Sequence, residues 1–270
     1  MMTPRVLLTD LVMGESVRWH DDHVWFCDWV PGEIIRLDGE KATIVSQLSG
    51  MPLCVDWTPA GELLVLVGSE ARLLRDGQVF ADLRKINDTH PWNDIATDSR
   101  GNAFINNIGY DFPGGAAPGP GLIAVVTPDG SARQVADDVL FPNGMAVTAD
   151  DSTLIVAESH GARLTAFDIA PDGTLSNRRV WADLPGDAPD GICLDAQGAI
   201  WYASVPLQHC VRIREGGEVL ARVPLDRGAF DCAISEDQST LYAVTADFSD
   251  PQAMISRRTG QLVAITLDDA

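Results

Sequence analysis

The feature that most constrains this chain is a repeat of about forty residues. Six segments each contain two short apolar stretches joined by a turn rich in Asp, Gly and Ser, and they begin at residues 15, 53, 93, 143, 190 and 231. The intervals between them are 38, 40, 50, 47 and 41 residues, which is the length of a four-stranded propeller blade. The repeat therefore predicts an all-β fold, a six-bladed β-propeller with four antiparallel strands per blade, as a single domain over residues 1–270.

Turn signals between the repeats supply the other two strands of each blade. Pro128-Asp129-Gly130 and Pro171-Asp172-Gly173 each separate two apolar stretches, as expected for a second hairpin. No segment sustains a capped helical period over three turns. Residues 6–11 precede the first repeat and have strand composition, so we expect them to pair with residues 261–267 and complete the last blade.

Charge and hydropathy exclude several classes of partner. The formal charge is -20, so most of the surface would repel nucleic acid or an anionic membrane. No window holds about 18 uncharged apolar residues, and the N-terminal residues lack the pattern of a secretory signal. We expect a cytoplasmic protein with no membrane partner. The five cysteines are widely spaced without a Cys-x-x-Cys pair, which favours buried thiols over disulfides or a zinc cluster.

Polar residues begin most of the repeats. Because first strands of propeller blades face a common axis, the leading residues are expected to converge there. Five of the six are carboxylates or amides, and the set is Glu15, Leu53, Asn93, Asn143, Asp190 and Asp231. Burying such groups is costly unless they bind one another, water or a cation. Oxygen donors favour Ca²⁺, with Mg²⁺ or Mn²⁺ as alternatives and Zn²⁺ behind them, since the histidines do not share this register. The alternative is that Asn143-Gly and Asp190-Gly only form turns before strands.

Four motifs, in this order and spacing, resemble the senescence-marker-protein/gluconolactonase/luciferin-regenerating-enzyme family. They are Gly14-Glu15 with Val17-x-Trp19, Trp92-Asn93-Asp94 with Asp98-x-x-Gly101, Pro142-Asn143-Gly144 with Leu154-Ile155-Val156-Ala157-Glu158, and Pro189-Asp190-Gly191 with Asp195-x-x-Gly198. The resemblance spans essentially the whole chain.

The resemblance implies a metal-dependent lactonase that opens a sugar lactone or related cyclic ester. It makes Glu15, Asn143 and Asp190 the ligands of one divalent metal ion. It gives Asn93 contact with metal-bound water or substrate, and it makes Asp190 the general base as well, so that Asp190 and Asn93 are the catalytic candidates. It does not make Asp231 a direct ligand.

One departure concerns the substrate. Family members that act on sugar lactones commonly have Arg two residues before the substrate Asn, and this chain has Pro91 there. His90 or Trp92 is the candidate replacement, and Tyr110 begins a Gly- and Pro-rich insertion, residues 109–121, that is either a lid or a plain surface loop. Trp19, Trp57 and Trp92 would suit a less polar lactone or ester if they face the axis; otherwise they are core residues.

The sequence is also compatible with other functions. A propeller that binds a small molecule or protein without catalysis is one alternative, because fold does not fix function. Hydrolysis of another ester or a phosphoester at the same site is another. A serine or cysteine nucleophile is disfavoured, because the sequence has no Gly-x-Ser-x-Gly elbow and no matched Cys and His.

Overall fold

The computed structural model describes residues 2–112, 114–250 and 255–267. Over these residues it contains 24 strands and one short 3₁₀ turn, Gly68–Glu70. The strands form six sheets of four antiparallel strands, which are the blades of a six-bladed β-propeller. The fold class expected from the repeat is confirmed. None of the helical segments described is long and apolar enough to span a membrane.

The blades follow one another along the chain, and each takes its strands in sequence order except the last. Strand β1 (Pro4–Leu11) precedes them all. The first blade contains β2 (Gly14–His20), β3 (His23–Asp28), β4 (Glu33–Asp38) and β5 (Lys41–Gln47). The second contains β6 (Leu53–Trp57), β7 (Leu63–Val67), β8 (Arg72–Arg75) and β9 (Gln78–Asp82). The third contains β10 (Trp92–Thr97), β11 (Ala103–Asn107), β12 (Gly121–Val126) and β13 (Ala132–Val139).

The last three blades repeat this plan. The fourth contains β14 (Pro142–Val147), β15 (Thr153–Glu158), β16 (Arg163–Ile169) and β17 (Leu175–Asp183). The fifth contains β18 (Pro189–Leu194), β19 (Ile200–Ser204), β20 (His209–Ile213) and β21 (Val219–Pro224). The sixth contains β22 (Gly228–Ile234), β23 (Thr240–Ala246), β24 (Gly260–Thr266) and, as its fourth strand, β1.

The N-terminal strand completes the sixth blade as expected. Strand β1 runs antiparallel to β24, with Pro4 opposite Ile265, Val6 opposite Val263 and Leu11 opposite Gly260. Leu11 is buried at the end of this ladder. Strands from the first and last parts of the sequence therefore share one sheet, in which β1 covers the edge that β24 would otherwise expose.

The chain divides into two compact units of three blades each. One unit holds the first, fifth and sixth blades, in Met1–Ser49 and Asp187–Ala270, and the other holds the second, third and fourth, in Gly50–Gly186. Each unit buries apolar side chains from its own neighbouring blades, such as Phe26 with Phe230 in one and Phe104 with Phe167 in the other. Alternating strand patterns provide these residues, because every second side chain points to the same face of a sheet.

All five cysteines are free, and four of them are buried, as the sequence predicts. The remaining one, Cys193, is half-buried. These thiols pack as small apolar groups within the strands.

Candidate functional site

Glu15, Asn93, Asn143 and Asp190 occupy one structural position in four different blades. Each is the second residue of the first strand of its blade. The residue before it pairs across the hairpin with the last residue of the second strand, in the pairs Gly14–Asp28, Trp92–Asn107, Pro142–Glu158 and Pro189–Ser204. A bulge then interrupts the pairing of the two strands. It follows Glu15 in the first blade, and in the other three it follows the first residue of the strand, Trp92, Pro142 or Pro189. Bulges of this kind re-aim side chains at functional positions.

The second blade lacks this interruption. Its first strand pairs residue by residue with the second, from Leu53 opposite Val67 to Trp57 opposite Leu63. Leu53 is fully buried and apolar. The second blade therefore contributes an apolar residue where the four blades above contribute a polar one.

Asn93 and Asn143 are in direct contact in the second unit. The Asn93 Nδ2 donates to the Asn143 Oδ1 at 3.2 Å and to the Pro142 carbonyl at 3.3 Å. The Asn143 Nδ2 donates to the Ser159 hydroxyl at 3.3 Å, and the Asn106 Nδ2 donates to the Asn143 carbonyl at 2.7 Å. The orientation of the Asn143 amide is thus fixed from both ends, with its oxygen presented as an acceptor.

Glu15 and Asp190 lie in the first unit. Glu15 is only 8% exposed, and Asp190 is half-buried. Glu15 sits opposite Cys27 in the hairpin. Burial raises the pKa of the Cys27 thiol, Arg18 opposes that shift, and the Glu15 and Asp231 carboxylates add to it. The Cys27 thiol is therefore a neutral neighbour of this carboxylate.

Asp231 does not share the position of Asp190, which corrects the sequence alignment of the sixth repeat. Counted from the hairpin turn, the pairs Leu194–Ile200 and Ile234–Leu241 are equivalent, so Phe230 takes the place of Asp190 and Asp231 takes that of Gly191. The turn between β22 and β23, residues 235–240, is one residue longer than the turn between β18 and β19, residues 195–199, and this extra residue shifts the alignment.

The Asp231 carboxylate has a connecting role instead. It is 4% exposed and accepts the Val17 amide at 2.6 Å and the Arg18 guanidinium at 3.2 Å. Asp94 stands at the same register in the third blade, and its carboxylate accepts the Met145 amide of the next blade at 3.1 Å. Each carboxylate joins its own blade to the next one. The amide that it accepts, from Val17 or Met145, lies two residues after a candidate site residue.

The substrate candidates around Pro91 are placed differently from one another. Trp92 is fully buried, and its Nε1 donates to the Asn87 carbonyl at 3.2 Å, so its ring is part of the core. His90 is half-buried. Its amide donates to the Asn87 Oδ1, and its carbonyl accepts the Asn107 Nδ2.

Tyr110 anchors the start of the 109–121 insertion. It is 5% exposed, its hydroxyl is 3.3 Å from the His160 Nδ1, and its ring packs edge-on against Phe112 and Phe141. Burial raises the pKa of Tyr110 and lowers that of His160. Phe141 lies two residues before Asn143, so the insertion folds onto the approach to that residue. Pro113 lies outside the described residues.

A buried polar cluster around Asp187 was not expected from the sequence. The Asp187 carboxylate accepts the Ser204 hydroxyl at 2.5 Å and the Tyr202 hydroxyl at 2.9 Å, and it lies 2.7 Å from the His209 Nε2. Burial alone would raise its pKa, but these hydrogen bonds hold the pKa of Asp187 at about 2. Burial and the adjacent carboxylate raise the pKa of Tyr202. The only signal in the sequence was a few polar residues within otherwise apolar strands.

Fold and site together define a class: a six-bladed β-propeller with carboxylate or amide side chains at the start of the first strand in four blades. A model of the SMP-30/gluconolactonase/LRE-like region matches residues 13–247. The chain belongs to this family.

Relatives and solved structures are similar over most of their length. Regucalcin of Xenopus laevis is 25% identical, with 87% of this chain and 83% of that protein covered, and regucalcin of Gallus gallus is 23% identical, with 91% and 87% covered. A luciferin-regenerating enzyme superimposes with a TM-score of 0.85 at 18% identity, covering 100% of this chain and 96% of the other. A gluconolactonase from Xanthomonas campestris gives a TM-score of 0.77 at 21% identity, covering 99% and 90%.

A third structure carries a name that bears on cation binding. It is described as a calcium-binding protein, regucalcin, from Agrobacterium tumefaciens, and it gives a TM-score of 0.79 at 19% identity, covering 99% of this chain and 96% of the other. At these identities the superpositions establish the shared fold.

Proposed function

We propose that this protein is a metal-dependent lactonase that binds one divalent cation through Glu15, Asn143 and Asp190. The observation that carries the proposal is the common strand position of Glu15, Asn93, Asn143 and Asp190 in a member of this family. Four polar residues at one register, each beside a bulge, are difficult to explain by turn formation alone.

The donor set fits a hard divalent cation. Two carboxylates and one amide oxygen are typical ligands of Ca²⁺, and they also suit Mg²⁺ or Mn²⁺. Among residues 2–112, 114–250 and 255–267, no three His, Cys, Asp or Glu side chains are grouped as a metal centre. A site here therefore needs an amide ligand, and the Asn143 oxygen is already held in a fixed orientation by Asn93 and Ser159.

The proposed chemistry is the opening of a cyclic ester by water. A bound divalent cation would polarise the ester carbonyl and stabilise negative charge on its oxygen. Asp190 takes a proton from the attacking water as general base. Asn93 orients water or substrate with its amide group, which its contact with Asn143 places beside the proposed ligand. Glu15 offsets the positive charge of the cation.

A small lactone is the proposed substrate class, in line with the gluconolactonase among the structural neighbours. The guanidinium that sugar-lactone enzymes commonly carry is replaced by Pro91, and Trp92 is buried in the core. His90 and Tyr110 remain the proposed substrate contacts at this end of the third blade. Cation binding without turnover is the second candidate, because one neighbour is described as a calcium-binding protein.

The test is hydrolysis of a small panel by metal-stripped protein, with and without Ca²⁺, Mg²⁺, Mn²⁺ or Zn²⁺. The panel contains gluconolactone, a five-carbon sugar lactone, an aliphatic lactone and an aryl ester. We expect cation-restored turnover of at least one lactone, which Asp190→Ala abolishes. Asp137→Ala, at an exposed carboxylate on the outer strand β13, is the matched control and should behave as wild type. Cation binding with no turnover of any member would support the second candidate, and full turnover after chelation would refute the metal role.

A further inference from the structure

Each of the four candidate residues is preceded by a backbone segment that a buried polar side chain holds in place. The side chains are Asp28, Asn107, Glu158 and Ser204, the last residue of the second strand in the first, third, fourth and fifth blades. We call them the anchor residues. All four are between 0 and 1% exposed.

Every anchor residue bonds the residue three positions before its candidate. In the first blade, Asp28 accepts the Val12 amide at 3.0 Å. In the third, the Asn107 Nδ2 donates to the His90 carbonyl at 2.7 Å. In the fourth, Glu158 accepts the Leu140 amide at 2.7 Å. The four spacings, from 12 to 15, 90 to 93, 140 to 143 and 187 to 190, are identical.

In the fifth blade the anchor residue bonds a side chain of the preceding segment instead of its backbone. Here the carboxylate lies on the preceding segment, as Asp187, and the anchor residue Ser204 donates its hydroxyl to it at 2.5 Å. His209 and Tyr202 complete the shell around that carboxylate. Four different side chains, Asp, Asn, Glu and Ser, thus connect the end of the second strand to the segment before the candidate residue. The connection is common to the four blades, whereas the residue type is not.

The two remaining blades provide a comparison within the same molecule. At the equivalent register the second blade has Val67, which is apolar, and the sixth has Thr245. Thr245 is 1% exposed, and its hydroxyl has no hydrogen-bond partner within the described portion of the chain. These are the two blades whose first strands carry Leu53 and Phe230 at the candidate position. Among the described residues, the hydrogen bond from this register to the preceding segment is therefore present in the four blades with a polar candidate residue. Over these residues it is absent from the two blades that have an apolar residue at the candidate position.

Stability alone does not account for this distribution. A buried polar residue is costly to desolvate and repays little net stability even when it is bonded. Val67 shows that an apolar residue satisfies the fold at this register. Side chains that hold a metal ligand in place typically change metal affinity by about 10- to 100-fold when removed.

We infer that the anchor residues are positioning residues that set the orientation of the site residues, and that Asp28, Glu158 and Ser204 thereby set the affinity for the cation. This inference rests on the proposed function, since it takes Glu15, Asn143 and Asp190 as the cation ligands. It adds a set of residues, one strand away from the site, whose identity varies while the position that they bond, three residues before the site residue, does not.

The test compares Ser204→Ala with Thr245→Val by calorimetric titration of metal-stripped protein with Ca²⁺ and, separately, Mn²⁺. Each variant removes one buried hydroxyl at the same register of neighbouring blades. We expect Ser204→Ala to weaken cation affinity by about 10-fold or more, Thr245→Val to stay within about 2-fold of wild type, and Ser204→Thr to recover binding. Melting curves without cation report whether each variant is folded.

Equal cation affinity in Ser204→Ala and Thr245→Val would overturn the positioning role while leaving the proposed function intact. Absence of cation binding by the wild-type protein would overturn both. If Ser204→Ala does not fold, Asp28→Asn replaces it, because this near-isosteric change removes one acceptor from the pair of bonds to Val12 and Met13. Wild-type affinity in folded Asp28→Asn would likewise contradict the inference.

Discussion

The carboxylate of Asp231 occupies the space that a side chain at Gly191 would need. A Cβ atom on Gly191 would lie 1.8 Å from the Asp231 Oδ1 and 2.5 Å from its Cα. The other oxygen of Asp231 accepts the Val17 amide at 2.6 Å. One buried carboxylate therefore joins the fifth, sixth and first blades directly beside Asp190 and Glu15, and the absence of a side chain at residue 191 is what allows it to do so.

Gly191→Ala should be strongly destabilising. The added methyl group meets both the carboxylate and backbone of Asp231, so a small side-chain rotation cannot relieve the clash. We expect a loss of about 3 kcal/mol in the free energy of unfolding, measured by denaturant titration. Gly119→Ala is the matched control, because its Cβ would meet only ordinary contacts at 3.6 and 3.7 Å. Equal stability in the two variants would show that Asp231 moves aside freely.

Asp190→Ala and Asn93→Ala should affect different steps. Loss of a general base typically costs about 10²- to 10⁴-fold in rate, and Asp190 is also a proposed ligand, so both turnover and cation affinity should fall. Asn93→Ala should lower turnover more than cation affinity, because Asn93 is not a proposed ligand and the Asn143 amide keeps its hydrogen bond to Ser159. Steady-state kinetics with calorimetric titration separates the two effects. Wild-type turnover in Asp190→Ala would refute its assignment as general base.

The sequence predicted the fold well because each blade carries its own turn chemistry and apolar alternation. It placed Glu15, Asn93, Asn143 and Asp190 at a common register for the same reason. It misplaced Asp231 by one position, because the turn between β22 and β23 has one residue more than the turn between β18 and β19. Hairpins and bulges are specified by pairing, which a linear alignment does not contain.

The anchor residues and the Asp187 cluster were missed for a related reason. Each link joins residues 16 to 18 positions apart, and the side chain at the anchoring position differs in every blade. Neither periodicity nor motif spacing marks such a residue. The anchor residue accepts in the first and fourth blades and donates in the third and fifth, and in the fifth blade the acid, Asp187, lies in the loop and not at the strand end.

Removal of β1 should destabilise the unit that contains it. Strand β1 supplies the fourth strand of the sixth blade, and Leu11 packs in the core of that unit with Val244 and Leu262. Deleting residues 1–11 would expose the edge of β24 and part of this core. We expect a fall in melting temperature of several degrees, since about 1 kcal/mol corresponds to roughly 2–4 °C in a chain of this size. An unchanged melting temperature would contradict the structural role of β1.

The Asp187 cluster should make stability depend on pH in the acidic range. In the folded protein the pKa of this carboxylate is about 2, whereas in the unfolded chain the pKa lies near its ordinary value of 3.8. Its contribution is therefore fully present above about pH 5 and is lost as the pH falls toward 2. Asp187→Asn cannot make this contribution, and we expect it to be less stable than wild type by about 1–2 kcal/mol at pH 7.

The difference in the free energy of unfolding between wild type and Asp187→Asn should become smaller as the pH is lowered from 7 to 3, because protonation removes the charge from the wild-type residue as well. Denaturant unfolding at several pH values measures it. Asp137→Asn, on the exposed face of β13, is the control and should show no difference that varies with pH. A difference that stays constant or grows on acidification would mean that the hydrogen bonds from His209, Ser204 and Tyr202 do not favour the ionised carboxylate. Asp187 would then stabilise the segment before Asp190 by packing alone.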